Sequence, residues 1–247
     1  MTAYPPDDMP PLALLAGGLA KRLGAITERV PKSMLQVAGG PFIAHQIRLL
    51  VGQGICDIII CCGHLGRLIS EFVGDGSSFG CRVRYSYDGP PLLGTGGAIL
   101  KALPILGPRF WVMYGDSYLT ADFAPALRAF EDSGKRGLMT VFRNENRWDK
   151  SNVAFSANRI LRYEKDFVDP GMRHIDYGLG LYSAQAFADL PQGSEFDLSE
   201  IQRDLIARGE MAGFEVSERF YEIGSPAGLA ETDAFLRGRI FPVGVPA

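Results

Sequence analysis

The sequence predicts an α/β fold built on a central, mostly parallel sheet, with antiparallel pieces in its second half. Three observations carry that expectation. From Leu12 to Phe142 short apolar runs alternate with segments of helical spacing. The early runs are apolar throughout rather than alternating, which marks strands covered on both faces. After Phe142 the rhythm changes to short strand-like stretches divided by turns, over Val153–Phe155, Ile160–Tyr163 and Leu179–Ser183.

Leu12–Leu15 is the first predicted strand, followed by Gly17-Gly18 and a long loop. A short apolar run, Met34 to Val37, leads to the turn Gly39-Gly40-Pro41. The next segment has helical spacing, with Phe42, Ile43, Ile47 and Leu50 on one side, and Gly52 and Gly54 end it. Asp57–Cys62 is a second buried strand, Leu65–Val73 a helix, and Arg82–Tyr87 an alternating third strand. Gly94-Thr95-Gly96-Gly97 precedes a helix predicted from Ala98 to Leu103, stopped at Pro104. Phe110–Tyr114 is a fourth strand that ends at Gly115-Asp116; a helix over about Phe123–Asp132 and a fifth strand, Leu138–Phe142, follow. Val153–Phe155, Ile160–Tyr163, Leu179–Ser183, Phe214–Val216 and Phe220–Ile223 read as short strands, Leu198–Arg208 and Ala227–Arg237 as helices. No internal repeat or linker divides the chain. The expected organisation is a floppy polar lead over residues 1–11 and one domain over residues 12–240.

The bulk properties exclude several classes of function. Among 247 residues the net charge is −3, so the strong basic excess of a nucleic-acid binder is missing. No apolar run approaches the ~20 residues that span a bilayer, and the N-terminus lacks the basic and apolar parts of a signal peptide. Four cysteines form no C-x-x-C pair, and three of them lie in or beside apolar runs. They are expected as reduced packing residues, which implies a reducing compartment, the cytoplasm. His45, His64 and His174 are too scattered for a histidine zinc site. No nucleophile elbow points to a hydrolase.

The stretch with the most chemistry is Leu15-Ala16-Gly17-Gly18, with Arg22 and Pro31-Lys32 downstream. A buried strand ends there in a loop whose amides can turn inward on an anion. Arg22 can grip phosphate oxygens at two points, and Lys32 can act as a mobile point charge. In a parallel sheet this is also where ligands bind, at the carboxyl ends of the strands. A nucleoside triphosphate is the hypothesis. The glycines alone would equally serve a tight turn. The G-x-G-x-x-G dinucleotide pattern and the Gly-Lys-Ser/Thr phosphate loop are both absent.

The run A-G-G-x-x-x-R-L followed by P-K resembles the sugar-1-phosphate nucleotidyltransferases, which make nucleotide sugars from a nucleoside triphosphate and a sugar 1-phosphate. The resemblance continues through Asp88 and Leu93-Gly94-Thr95-Gly96-Gly97-Ala98, Tyr114-Gly115-Asp116, Glu164-Lys165, Ile175-Asp176-Tyr177-Gly178 and Tyr221-Glu222-Ile223-Gly224-Ser225-Pro226. It spans about residues 12–237 and implies a Rossmann-like three-layer sandwich. It further implies that Leu15, Ala16, Gly17, Gly18, Asp88, Gly94, Thr95, Gly96 and Gly97 hold the nucleotide. Glu164, Lys165, Asp176 and Gly178 then meet the sugar phosphate. Arg22, Lys32 and Asp116 are the catalytic residues so implied, and Asp116 with Glu222 the carboxylates for Mg²⁺, the implied cofactor. The chemistry is in-line displacement at the α-phosphorus, served by positioning and charge stabilisation rather than by a protein nucleophile.

Within that family the compact length and the Leu-Gly-Thr-Gly-Gly-Ala loop look most like guanylyltransferases acting on heptose 1-phosphate, for cell-surface polysaccharide synthesis. Uridylyltransferases acting on amino-sugar 1-phosphates share the same build. A non-catalytic nucleotide-sugar-binding subunit is the rival of a different class. The resemblance allows a homodimer, and no nucleic-acid or membrane partner is expected. Two departures stand out: Ala20-Lys21 before Arg22, where relatives often carry Gly-Thr or Gly-Ser, and Glu222 in place of the commoner aspartate.

Overall fold

The computed structural model describes residues 9–18, 30–63, 65–165 and 169–240. In chain order, β1 (Leu12–Leu15) is followed by a 3₁₀ turn (Lys32–Met34), a small hairpin of β2 (Gln36–Val37) and β3 (Gly40–Pro41), and α1 (Phe42–Gly52). Then come β4 (Asp57–Cys62), α2 (Gly66–Val73), β5 (Arg82–Tyr87), α3 (Gly94–Leu106), β6 (Arg109–Tyr114) and β7 (Ser117–Leu119). The second half runs α4 (Ala124–Ser133), β8 (Gly137–Arg143), β9 (Val153–Ser156), β10 (Arg159–Tyr163) and β11 (His174–Ser183). It closes with α5 (Leu198–Ala207), β12 (Met211–Val216), β13 (Phe220–Glu222) and α6 (Pro226–Ile240).

A 9-stranded sheet has the order β5-β4-β1-β6-β11-β8-β12-β10-β9. β5, β4, β1 and β6 are all parallel. β11 runs antiparallel between β6 and β8, and β12 is parallel to β8. The sheet is thus mixed in its second half, as the change of rhythm predicts. β1 sits centrally because all four of its residues are apolar and buried. Its side chains alternate between two cores. Leu12 and Leu14 join α1, α2 and α4 on one face, and Ala13 and Leu15 join α3 and α5 on the other. Burying apolar surface on both faces is what makes a three-layer sandwich the stable solution for such strands. A smaller cluster, including Val37, Phe42, Tyr118, Ile223 and Leu236, holds α6 against the hairpin and β7.

Three elements differ from the sequence expectation. α3 starts at Gly94 and runs past Pro104 to Leu106. Proline lacks only one helix donor, and the apolar residues on both sides of it remain buried against the sheet: Ala102 and Leu106 are at most 1% exposed. β11 is a ten-residue strand that includes Ile175–Gly178, with its register shifted between Asp176 and Gly180. β7, absent from the expectation, pairs antiparallel with β13 and brings Glu222 opposite Ser117. Of the cysteines, Cys61 and Cys62 are buried free thiols, whereas Cys56 is exposed. No helix among the described residues is long and apolar enough to cross a membrane.

Candidate active site

Going out from β1, the chain moves first to β4 and β5 on one side and then to β6 on the other. This reversal opens a crevice at the carboxyl ends of the strands, the usual ligand position in an open α/β sheet. A cavity of about 530 Å³ occupies it. Leu15, Ala16, Gly17, Gly18, Lys32, Asp88, Gly94, Thr95, Asp116 and Lys165 all line it. Residues far apart in the sequence therefore converge on one hollow of the size that takes a small-molecule substrate.

The backbone at the strand ends is packed so tightly that side chains are excluded. A Cβ on Gly17 would stand 2.8 Å from the Gly63 amide nitrogen, and one on Gly115 would stand 2.6 Å from the Leu15 carbonyl oxygen. Gly17 thus serves the join between β1 and β4, while a Cβ at Gly18 would meet nothing within 4 Å. The expected nucleotide platform at Gly94–Gly97 is only half realised. Gly94 and Thr95 face the cavity, but the amides of Gly96 and Gly97 donate to the Phe196 carbonyl. A Cβ on Gly96 would fall 2.1 Å from the Phe196 ring, so these glycines admit a neighbouring chain segment rather than a ligand.

Asp116 is fixed from two sides. Gln46 of α1 donates to the Tyr114 and Ser117 carbonyls, and the Ile223 amide donates to the Asp116 carbonyl at 2.9 Å. Its carboxylate takes the Lys32 ammonium at 2.6 Å. The other carboxylate oxygen has only a 3.4 Å contact from the Ser117 hydroxyl, which leaves it acceptor capacity on the cavity side. A hard divalent cation fits that position, since Mg²⁺ commonly uses one or two carboxylates and completes its shell with phosphates and water.

Glu222, expected as the second metal carboxylate beside Asp116, does not line the cavity. Its carboxylate accepts from the Gly224 amide and, at 2.6 Å, from the Ser225 hydroxyl. It is folded back on the turn that starts α6, and the cavity is lined there by Gly224 instead. Among the described residues no group of three or more His, Cys, Asp or Glu is arranged to hold a metal.

At the other end of the cavity Lys165 lies in a two-oxygen contact with Asp197, at 2.7 and 2.8 Å. Glu164 is turned away, paired with Arg162 and more loosely with Arg203. Asp176 and Gly178 stand behind the lining: Asp176 accepts from the Gly178 amide at 2.9 Å, and burial pushes its carboxyl up from the ordinary range despite that bond. Arg22 lies outside the described residues.

Several residues of the site carry no family motif. Ser33, Cys61 and Leu92 line the cavity beside the expected residues. Three polar atoms of the lining are buried without a hydrogen-bond partner: the hydroxyls of Ser33 and Tyr114 and one carboxylate oxygen of Asp88. Native interiors rarely leave such atoms unpaired unless a ligand or water satisfies them. Burial also raises the Asp88 carboxyl, with the Leu93 amide and Lys101 acting against it. Asp197 is foreshadowed only by its place before Glu200, a helix-start pattern.

The sequence profile described as "Nucleotidyl transferase" matches residues 13–152. The N-acetylmuramate alpha-1-phosphate uridylyltransferase of Neisseria meningitidis serogroup B is 29% identical, over 90% of this chain and 96% of its own length. The D-glycero-alpha-D-manno-heptose 1-phosphate guanylyltransferase of Campylobacter jejuni is 26% identical, over 86% of this chain and 94% of its own. Among solved structures, a putative glucose-1-phosphate thymidylyltransferase from Bacillus anthracis superposes with a TM-score of 0.81. It covers 96% of this chain and 97% of its own at 23% identity, a likeness of fold.

Proposed function

This chain belongs to the nucleotidyl transferase family, and from that premise we propose that it is a guanylyltransferase, which moves GMP from GTP to a heptose 1-phosphate. Pyrophosphate leaves, and the product is a nucleotide sugar for cell-surface polysaccharide synthesis. At the coarser level it is a sugar-1-phosphate nucleotidyltransferase.

The feature that supports the choice of base is the Asp88 carboxylate in the cavity wall, one oxygen of which is buried without a partner while the other accepts only a long 3.5 Å bond from the Leu93 amide. A carboxylate is an acceptor with two oxygens side by side. Guanine presents two adjacent N–H donors on its pairing edge and matches it. Uracil presents a single N–H flanked by two carbonyls, which would face the carboxylate oxygens with like charge. The heptose follows from the guanylyl relative, which this chain spans almost completely. The uridylyl relative, spanned to 96% of its length, supports the second reading: UTP with an amino-sugar 1-phosphate.

In this reading an oxygen of the sugar phosphate attacks the α-phosphorus, and the bond to the β-phosphate oxygen breaks. Lys32 lies where the two substrates meet, Arg22 grips the departing pyrophosphate, and Lys165 faces the incoming sugar phosphate with Asp176, Gly178 and Glu164 beyond it. Leu15–Gly18 and the first residues of α3 carry the nucleotide. Asp116 would hold a divalent ion, Mg²⁺ in the first instance, whose chemistry is to neutralise phosphate charge as it develops. The buried free thiols Cys61 and Cys62 support a reducing compartment, the cytoplasm. Pyrophosphate release from each of GTP, UTP, dTTP, CTP and ATP, paired with heptose, hexose and amino-sugar 1-phosphates, tests the assignment. Turnover of GTP with heptose 1-phosphate supports it, and selective turnover of UTP with an amino-sugar 1-phosphate replaces it by the second reading.

A further inference from the structure

Asp197 caps α5, and a cap needs only one carboxylate oxygen. That oxygen accepts the Ser199 amide at 2.9 Å, and Glu200 returns a bond to the Asp197 amide. The second oxygen has other business. It accepts the Thr95 hydroxyl at 3.1 Å, from the first turn of α3, and both oxygens share the Lys165 ammonium. Thr95 in turn accepts the Leu198 amide at 2.8 Å. The Gly96 and Gly97 amides donate to the Phe196 carbonyl, and the Phe196 amide donates to the Leu93 carbonyl. Chain 196–198 is therefore clasped to the nucleotide-side loop by these four hydrogen bonds besides the carboxylate's own. Lys165, by contrast, makes its one ion-pair contact among the described residues with Asp197, while its charge also acts on the buried Asp176 carboxyl.

Charge makes the pairing informative. A carboxylate beside a lysine weakens its Coulombic pull on a phosphate. What the lysine gains is a fixed place, because a free lysine side chain samples many rotamers and binding must freeze them. An ammonium has three N–H donors, so one can remain for a phosphate after Asp197 has been served. Burial works to raise the Asp197 carboxyl, but the bonds from Lys165 and Ser199 outweigh it and hold the group down to about 2. Asp197 thus stays an anion across any assay range.

We propose that Asp197 is a positioning residue for sugar-phosphate binding: it holds Lys165 at a set distance from the start of α3, so the nucleotide wall and the sugar wall keep one spacing. This inference rests on the assignment of Lys165 to the sugar phosphate.

Asp197→Asn and Asp197→Ser separate the two duties of the residue, since Asn and Ser cap helices about as well as Asp but carry no charge. Steady-state kinetics on the full-length enzyme, varying each substrate in turn, are compared with thermal melts. Both variants are expected to melt like wild type and to raise KM for the sugar 1-phosphate about tenfold, with kcat and KM for the triphosphate within about twofold. Lys165→Ala should raise the same KM, and Lys165→Ala/Asp197→Asn should be no worse than Lys165→Ala alone. If Lys165→Ala raises KM and the two Asp197 variants do not, Asp197 is only a cap and the inference falls while the reading of Lys165 stands. If Lys165→Ala leaves KM for the sugar 1-phosphate unchanged, that reading falls and takes the inference with it.

Discussion

The cavity holds two lysine–carboxylate pairs, and they are built differently. Lys32–Asp116 lies at the end of a central strand, with side chains 16% and 33% exposed. The Gln46 side chain of α1, donating to the Tyr114 and Ser117 carbonyls on either side, and the Ile223 amide after β13, donating to the Asp116 carbonyl, lock the aspartate in place. Lys165–Asp197 lies at the rim, 36% and 40% exposed, on a chain segment and a helix cap. Charges that water reaches are screened, and exposed pairs contribute little to stability. Charges on a rigid, partly dry scaffold act strongly on whatever charge develops beside them. On the proposed function the difference divides the labour: the inner pair would serve the reacting phosphorus, and the outer pair the grip on one substrate.

Breaking the inner pair should therefore cost rate, and breaking the outer pair should cost affinity. The largest loss is expected from Asp116→Asn, with kcat down about 10³-fold or more and the melting temperature nearly unchanged, because a carboxylate for charge neutralisation goes while its backbone supports stay. Pyrophosphate release checks it, and near-normal turnover would refute a catalytic Asp116. Lys32→Ala should follow at about 10²-fold in kcat, with triphosphate binding largely kept, as measured by titration calorimetry. Asp88→Asn should lower the preference for guanosine over uridine triphosphate by about tenfold or more, read from the ratio of kcat/KM values. An unchanged ratio would remove Asp88 from base reading.

Asp176 sharpens the outer end. Its carboxyl is raised by burial, so the folded state binds its proton more tightly than the unfolded chain does. Stability from that preference is present at low pH and declines as pH rises from the unfolded carboxylate range through the folded value. Asp176→Asn escapes the decline. Its melting temperature relative to wild type should thus be more favourable at pH 7 than at pH 4, while use of sugar 1-phosphate weakens. The smallest effect is expected from Glu222→Gln. The amide oxygen can still accept from the Gly224 N–H while its NH₂ donates to the Ser225 hydroxyl oxygen, so activity should stay within a few-fold and metal titration should resemble wild type. A loss matching that of Asp116→Asn would restore Glu222 as a metal ligand.

The central strand and its loop are legible in the sequence because a short apolar run with no alternation suits a strand covered on both faces, and Gly17-Gly18 marks its end. Lys32, Asp88, Asp116 and Lys165 are legible for another reason: each sits in a motif whose spacing is fixed by the fold, and all four do line one cavity. The glycines of the second loop mislead in part. Gly96 and Gly97 look like a ligand cradle in sequence, but the space they spare is filled by Phe196 and Ser194, from a distant part of the chain. Long-range fit of that kind leaves no local trace. The same holds for Asp197, whose sequence neighbourhood announces only a helix start. Glu222 shows the reverse limit: its position is legible, but the direction of its longer side chain is set by the turn that follows it.

The most direct test of the account is a single comparison of pyrophosphate release by the wild-type enzyme with Mg²⁺ and heptose 1-phosphate, using GTP in one reaction and UTP in the other. Guanylyl transfer with Asp88 as the base-reading acceptor predicts rapid release from GTP and little from UTP. Equal or faster release from UTP would contradict it, and release from neither, across the wider panel of sugar 1-phosphates, would contradict the enzyme itself.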